Sequence, residues 1–297
     1  MSKESVLEGK ALENLIMSLY RERKVFEAYE TWDLNVQKLA PVSDQEPTFN
    51  TNLNELKSEH ATLKAAFEDI KRRSAWKTYE VFKNCSDMHA IMYKYQQNDE
   101  RAVFMAEITG ELPCHEAITL LRDPGMLPLL SDSLKKVSNS VRRNDLQPCL
   151  FDLVLNSWHP KILQKRCKAR VSVIDCSTPH QCVAVMFTWR NAEEKTPKIM
   201  GRMPTLLFLF DQDQKRTRVY FNQARTLSFQ LQDYFDRNYF ALIMHKALLN
   251  FIDTARKMNI LDCSSSDTLD RLWKTNDTEK GDSMFILWLR KMIKPSI

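Results

Sequence analysis

The sequence predicts an α+β fold, in which helical segments at the amino-terminal end precede antiparallel meander sheets packed by helices. Apolar residues recur at helical spacing from about Val6 to Leu39. Between Ala169 and Asn222, four runs rich in branched and aromatic residues are separated by polar or proline-containing turns, a pattern typical of strands. Links this short favour antiparallel pairing, because a parallel pair needs a crossover of about a dozen residues.

The composition indicates a chain with a substantial core and little specialised chemistry. Hydrophobic residues make up 43% of its 297 residues, and the net charge of +5 is spread too thinly to indicate nucleic acid by itself. Seven cysteines at irregular spacing fit no disulfide framework, so a reducing compartment is expected. Five glycines are few for a phosphate loop or a dinucleotide fold, and neither motif is present.

The segment that opens the chain, MSKESVLEGK, lacks the apolar core that a signal peptide needs. No window approaches 18 uninterrupted apolar residues, the length that a membrane span requires. The sequence therefore predicts a nuclear or cytoplasmic protein without a membrane partner.

Residues 1–74 are predicted to be a helical or coiled-coil region, broken at 41–49 where two prolines flank a polar stretch. The second helix carries an apolar seam at alternating steps of three and four. Its members are Leu53, Leu56, His60, Leu63, Phe67 and Ile70. A stripe this narrow implies a partner helix. That helix can belong to this chain, as a hairpin, or to another protein, and the sequence does not choose between the two.

The next region, 75–145, is predicted to be a first α+β domain. Branched and aromatic residues in Trp76 to Phe82 and Met88 to Tyr95 predict strands, the turn QQNDE follows, and Ala102 to Ile108 is a further apolar run. Leu127 to Arg143 has the spacing of a helix that becomes basic toward its end.

The region 146–260 is predicted to be a second α+β domain of similar order. Leu150 to Lys165 shows helical spacing, the four-strand meander follows, and Phe229 to Met258 is a long, largely apolar helix. The remainder, 261–297, is predicted to be a solvated loop and a short helix over Met284 to Ile293.

The chain contains no complete catalytic, cofactor or metal motif. Cys114-His115-Glu116 lacks the downstream cysteine pair of a zinc deaminase. Cys176, His180 and Cys182 lie close in sequence, but a structural zinc site needs four ligands, so a strand end, a turn and the next strand are the favoured interpretation. We therefore predict that the protein is not an enzyme and uses no cofactor or metal.

The densest basic cluster falls between residues 161 and 170, and a lesser one lies around 135–143. The dense cluster comprises Lys161, Lys165, Arg166, Lys168 and Arg170. If it lies on one surface it can attract a nucleic acid or an acidic partner, although runs of charge are more often solvated faces.

The order of elements resembles that of kinetochore proteins with tandem RWD domains behind a coiled coil. The resemblance rests on the strand VAVMFTWR (183–190), the polar loop with Lys195 and Pro197-Lys198, and the apolar strand after Pro204. A fainter likeness covers Asn84 to Ile108.

The resemblance implies a non-enzymatic adaptor of the inner kinetochore that acts in chromosome segregation. It would form a heterodimer with a second RWD coiled-coil subunit through the seam and the RWD-like domains, at the centromere in the nucleus, with no small-molecule substrate. Two alternatives stay open: an RWD-like coiled-coil adaptor of another pathway, such as ubiquitin conjugation or vesicle traffic, and a nucleic-acid-binding factor that uses the basic cluster.

Overall fold

The structure is a computed structural model. The described residues are 3–43, 47–72, 76–85, 89–97, 101–110, 112, 114–122, 134–138, 148–155, 165–191, 205–211, 216–224 and 241–262. The chain forms two compact units. Unit 1 comprises Met1–Ala75 together with Val173–Ala184, and unit 2 comprises Trp76–Ser172 together with Val185–Ile297.

Unit 1 is built on three helices, α1 (Lys3–Arg21), α2 (Val25–Ser43) and α3 (Pro47–Lys71). The single helix expected from Val6 to Leu39 is in fact two helices. They separate at Arg23, whose φ of 64° lies in the left-handed region and ends the helical path. No proline or glycine marks this break in the sequence, so the apolar spacing alone could not reveal it.

The apolar seam of α3 is buried within unit 1. None of its six residues is more than 9% exposed, and α2 packs against α3 as well as against α1. Phe26 of α2 meets the rings of two seam residues, His60 at 5.3 Å and Phe67 at 5.9 Å between centroids. The seam is therefore buried by a helix of the same chain, and a coiled-coil stem is not supported.

A nine-stranded antiparallel sheet dominates the rest of the molecule. Its elements in chain order are β1 (Lys77–Cys85), β2 (His89–Gln97), β3 (Arg101–Thr109), α4 (Cys114–Arg122), β4 (Leu134–Ser138), β5 (Cys149–Leu155), β6 (Lys165–Cys176), one helical turn (Ser177–His180), β7 (Cys182–Asn191), β8 (Thr205–Asp211), β9 (Arg216–Ala224) and α5 (Ala241–Asp262). The strand order is β1-β2-β3-β9-β8-β7-β6-β5-β4.

The pairing of β3 with β9 contradicts tandem RWD domains. These strands come from the two separately predicted α+β domains, yet they pair over their whole length, from Arg101 opposite Ala224 to Thr109 opposite Arg216. The general α+β prediction is confirmed, whereas the prediction of two sheets side by side is wrong. The predicted boundaries at 74, 145 and 260 stay predictions.

The four strands of the predicted meander are present as β6 to β9, whereas the start of the helix predicted at Leu150 to Lys165 is a strand. Residues Cys149–Leu155 form β5 instead, which pairs antiparallel with β6. Cys149 and Phe151 are buried while Leu150 between them is 55% exposed, the alternation of a strand. Likewise, β4 occupies part of the helix predicted from Leu127 to Arg143.

Two predicted features lie outside the described residues: the final helix Met284 to Ile293 and the first part of the helix Phe229 to Met258. In the part of the chain that the structure describes, no helix combines the length and the apolar character needed to cross a bilayer.

Candidate functional site

The candidate site is one apolar face of the sheet in unit 2, where β3, β9 and β8 lie side by side. In antiparallel pairs, residues directly opposite each other share a face. Val219 of β9 lies opposite Phe208 of β8 and Ala106 of β3. Thr217, two positions earlier on the same face, lies opposite Phe210 and Ile108. Ile91 of β2 lies opposite Ile108 and belongs to the same face. The seven sheet residues of this face whose side chains the structure describes are at most 5% exposed: Ile91, Ala106, Ile108, Phe208, Phe210, Thr217 and Val219.

Helix α5 covers this face. Its Phe251 packs on Phe208 with ring centroids 5.7 Å apart, and Phe187 of β7 meets Phe208 edge-on at 5.9 Å. Leu248, Ile252 and Ala255 of α5 are also buried, at the three-to-four spacing of a helix that buries one side. Helix α4 packs against α5 in turn. The site is thus a layer of aliphatic and aromatic side chains between a sheet and one long helix.

One polar group interrupts this apolar layer. Thr217 is 1% exposed, and its Oγ1 has no hydrogen-bond partner among the described residues. A buried hydroxyl left unpaired costs about 1–3 kcal/mol, and buried polar groups in native proteins are generally paired. A few polar atoms in an apolar surround are typical of sites that bind small molecules.

The opposite face of the same strands is organised differently. Tyr220 packs against Trp76, with ring centroids 6.4 Å apart. Arg218 and Glu107 face each other across β9 and β3 and form an ion pair, with Nε and Oε1 3.5 Å apart. The two charged groups of this pair therefore lie within ion-pair distance of each other, whereas the Thr217 hydroxyl lies among apolar side chains.

Unit 1 holds a second group of buried polar side chains, centred on Arg23. Its side chain is 2% exposed; Nη2 donates to Glu59 Oε2 at 2.9 Å and Nε donates to the Val173 carbonyl at 3.2 Å. The Arg23 carbonyl accepts from the Asp175 backbone N–H at 3.0 Å. The left-handed turn after α1 is thus fixed to α3 and to the end of β6, which gives the arrangement a structural role.

Two histidines lie on either side of Phe26 in unit 1. His60 stacks on Tyr29 at 3.7 Å between ring centroids, and His180 stacks on Phe67 at 3.6 Å. Phe26 meets His60 at 5.3 Å and His180 at 5.0 Å, edge-on in both cases. Burial lowers the pKa of both histidines. The neutral imidazole is the form that the aromatic cluster favours.

The structure gives different surroundings to three residues that lie close in sequence, Cys176, His180 and Cys182. Cys176 and Cys182 are both buried, whereas the His180 ring lies on Phe67. Burial raises the pKa of the Cys176 thiol well above its usual value. No cluster of three or more metal-ligating side chains occurs within the described ranges.

The predicted basic cluster begins outside the described residues, at Lys161, and continues along β6. Lys165 and Arg166 are the first residues of that strand; Lys168 is exposed and Arg170 is half-buried. Lys168 and Arg170 share a face because they are two positions apart on a strand.

Sequence reasoning missed Thr217 and Phe251. One signal was present for Thr217, because period-two alternation places it on the same side as Val219, a residue of an apolar strand. The lack of a hydrogen-bond partner, however, depends on neighbours from β3 and β8 that the sequence does not identify.

No protein-family model matches the sequence, and no curated protein matches it. Solved structures do match in shape. Human STARD10 shares 9% identity with a TM-score of 0.46, over 75% of this chain and 83% of that one. Human StAR-related lipid transfer protein 5 shares 13% identity with a TM-score of 0.45, over 70% and 98% of the respective chains. Norcoclaurine synthase from Thalictrum flavum matches with 9% identity and a TM-score of 0.35, over 55% and 99%.

The prediction of an RWD kinetochore adaptor is corrected on two findings. The single sheet joined by β3 and β9 is incompatible with tandem RWD domains, and no protein-family model links the sequence to RWD proteins. Three predictions that depended on this interpretation are also wrong: the heterodimer with a second RWD subunit, the exclusion of a small-molecule ligand and the role in chromosome segregation. The predicted nuclear, centromeric location stays a prediction.

Proposed function

We propose that unit 2 binds a small apolar molecule that carries one neutral hydrogen-bonding group, between the β3–β9–β8 face and α5. The observation that carries this proposal is the buried Thr217 hydroxyl without a partner among the described residues. A bound molecule that supplies a donor or acceptor there removes the cost of the unpaired group, because the hydroxyl can donate one hydrogen bond and accept others.

The neighbours of Thr217 define the chemistry of the ligand. Ile108, Phe210 and Val219 offer only apolar surface, and Phe251 of α5 adds an aromatic ring beside Phe208. Among the seven described sheet residues of this face none is charged, so an ionised ligand would lie there without a partner. The ligand is therefore neutral, with a hydrocarbon body.

The proposal rests on Thr217 and not on the matching solved structures. Their TM-scores are below 0.5, and a similarity that weak does not indicate a shared function. Binding is the whole of the proposed activity, and no residue of the face is assigned a catalytic step.

A neutral fluorescent amine, N-phenyl-1-naphthylamine, is a suitable probe because it combines two apolar aromatic ring systems, naphthyl and phenyl, with a single N–H group. We expect saturable fluorescence enhancement with the full chain. Thr217→Val keeps the shape of the side chain and removes the hydroxyl, so it is expected to weaken binding about tenfold, the equivalent of one hydrogen bond.

Thr254→Val is the matched control. Its hydroxyl lies on α5 in the same unit but already donates to the Asn250 carbonyl at 2.6 Å. We expect this variant to bind the probe as the parent chain does. No saturable binding by the parent chain, or equal affinities for the parent chain and Thr217→Val, would overturn the proposal.

A further inference from the structure

The end of β6 and the start of β7 bring two cysteines together in unit 1. Five residues, 177–181, separate Cys176 from Cys182. The backbone reverses there through the turn Ser177–His180, which closes with the Gln181 N–H donating to the Ser177 carbonyl at 3.0 Å and with Gln181 at a φ of 51°. Strands β6 and β7 are neighbours in the sheet, so Cys176 and Cys182 flank the base of this turn, and both side chains are buried.

We propose that Cys176 and Cys182 form a reversible disulfide that closes the β6–β7 hairpin. Cys176 is the last residue of β6 and Cys182 the first residue of its neighbour β7. A disulfide needs Cα atoms within about 7 Å, a separation that residues paired across adjacent antiparallel strands satisfy. Cys149, the other buried thiol that the structure describes, lies on β5 opposite Val171. It is therefore no part of the pair.

The reaction is thiol–disulfide exchange with a small disulfide such as oxidised glutathione. One cysteine thiolate attacks the glutathione disulfide, forms a mixed disulfide and releases one glutathione thiolate. The second cysteine thiolate then attacks the protein sulfur of that mixed disulfide and releases the second glutathione. Two thiol protons pass to solvent or to the departing thiolates, so the protein pair is oxidised and one glutathione disulfide is reduced to two thiols.

The cross-link would fix a turn that contacts the helices of unit 1. Asp175 accepts from the Ser177 N–H at 2.8 Å and from the Ser177 hydroxyl at 2.6 Å, and His180 stacks on Phe67 of α3. Closing this small loop restricts the unfolded chain and stabilises the hairpin. The oxidised form is therefore expected to resist unfolding of this hairpin more than the reduced form does.

Burial makes the exchange slow. Cys176 is fully buried, and because burial raises the pKa of its thiol, the reactive thiolate is scarce at neutral pH. The exchange rate is accordingly expected to increase with pH, since a larger fraction of the thiol ionises.

The test is direct because both cysteines fall in one tryptic peptide, residues 171–190, which contains no other cysteine. The folded full chain is incubated with oxidised glutathione, quenched with acid, alkylated in denaturant and digested. We expect this peptide to lose two hydrogens, about 2 Da, and to take up no alkyl group, with reversal by dithiothreitol. The melting temperature of the oxidised chain should rise by about 5 °C.

Cys149→Ser is the control that should leave the result unchanged, whereas Cys182→Ser should abolish the lighter peptide. A stable glutathione adduct on either cysteine of the folded parent chain would contradict the proposal. So would a peptide that is alkylated at both positions after prolonged oxidation, or one that becomes oxidised only in denaturant.

Discussion

Buried polar groups are treated differently in the two units of this molecule. In unit 1, Arg23 is buried with Glu59 as an ion-pair partner and Val173 as a second acceptor. In unit 2, Thr217 is buried in an apolar layer, where its hydroxyl has no partner among the described residues. The buried Arg23 guanidinium is therefore hydrogen-bonded to other groups of unit 1, whereas the buried Thr217 hydroxyl could still form a hydrogen bond with a ligand.

This difference separates a structural site from a binding site. Each hydrogen bond of the Arg23 guanidinium reaches another helix or strand. Removing the charged partner therefore leaves a buried charge unpaired and destabilises the fold. The Thr217 hydroxyl contributes nothing to the stability of the unliganded fold. Its removal is therefore expected to lower the affinity for the ligand. Mutations at the two sites should therefore have opposite consequences for stability.

The largest expected effect is at α5. Phe251→Ala removes the ring that packs on Phe208 and leaves a cavity in the apolar layer of unit 2. We expect a loss of about 4 kcal/mol in the free energy of unfolding, measured by urea denaturation. Asp253→Ala, on the exposed side of the same helix, should stay within about 0.5 kcal/mol of the parent chain.

The next effect is in unit 1. Glu59→Gln keeps the shape of the side chain but leaves Arg23 buried without a counter-charge, so we expect a loss of about 3 kcal/mol in the same measurement. Glu68→Gln is the matched control, because its pair with Arg72 is exposed and long, at 3.8 Å. Equal losses for the two variants would show that the buried pair has no special role.

A smaller effect of opposite sign is expected at Thr217. Without ligand, Thr217→Val should stabilise the chain by about 1 kcal/mol, since an unpaired hydroxyl is replaced by a methyl group in apolar surroundings. Thr254→Val, which removes a hydroxyl that donates to Asn250, should instead be neutral or slightly destabilising. Destabilisation by Thr217→Val would mean that its hydroxyl has a partner in the fold.

The smallest effect concerns pH. Burial lowers the pKa of His60, with Lys64 acting in the same direction and Asp33 opposing it, and burial together with Lys71 lowers the pKa of His180. A histidine whose pKa is lower in the folded state binds fewer protons there than when unfolded. Its contribution is thus complete above about pH 6.5 and is lost as the pH falls toward the folded pKa.

Denaturation midpoints measured between pH 7 and pH 5 test this dependence. The double variant His60→Phe, His180→Phe keeps the aromatic contacts and removes both titrating groups, so the fall in stability over this range should be shallower than in the parent chain. Parallel curves would assign the dependence to other groups.

The sequence was sufficient for local structure and insufficient for long-range pairing. Strands β6 to β9 were predicted because branched residues alternate between clear turns, and the helical character of α1 to α3 followed from apolar spacing. The strand β5 was mistaken for a helix because its apolar residues Leu150, Phe151 and Val154 also fit helical spacing.

The pairing of Arg101 with Ala224 joins residues far apart in the chain. The sequence of neither strand identifies the strand with which it pairs. The kinetochore interpretation failed at that point, since it assigned β3 and β9 to separate sheets. The candidate site could not be predicted for the same reason: Thr217 becomes a buried, unpaired hydroxyl only when Ile108 and Phe210 flank it.

The most direct test of the account compares two ligands that differ by one hydroxyl, naphthalene and 1-naphthol, on the parent chain and on Thr217→Val by isothermal titration calorimetry. The preference for 1-naphthol over naphthalene should be about tenfold greater for the parent chain, the equivalent of about 1.4 kcal/mol for one hydrogen bond. The same preference in both proteins, or no binding of either ligand to the parent chain, would contradict the account.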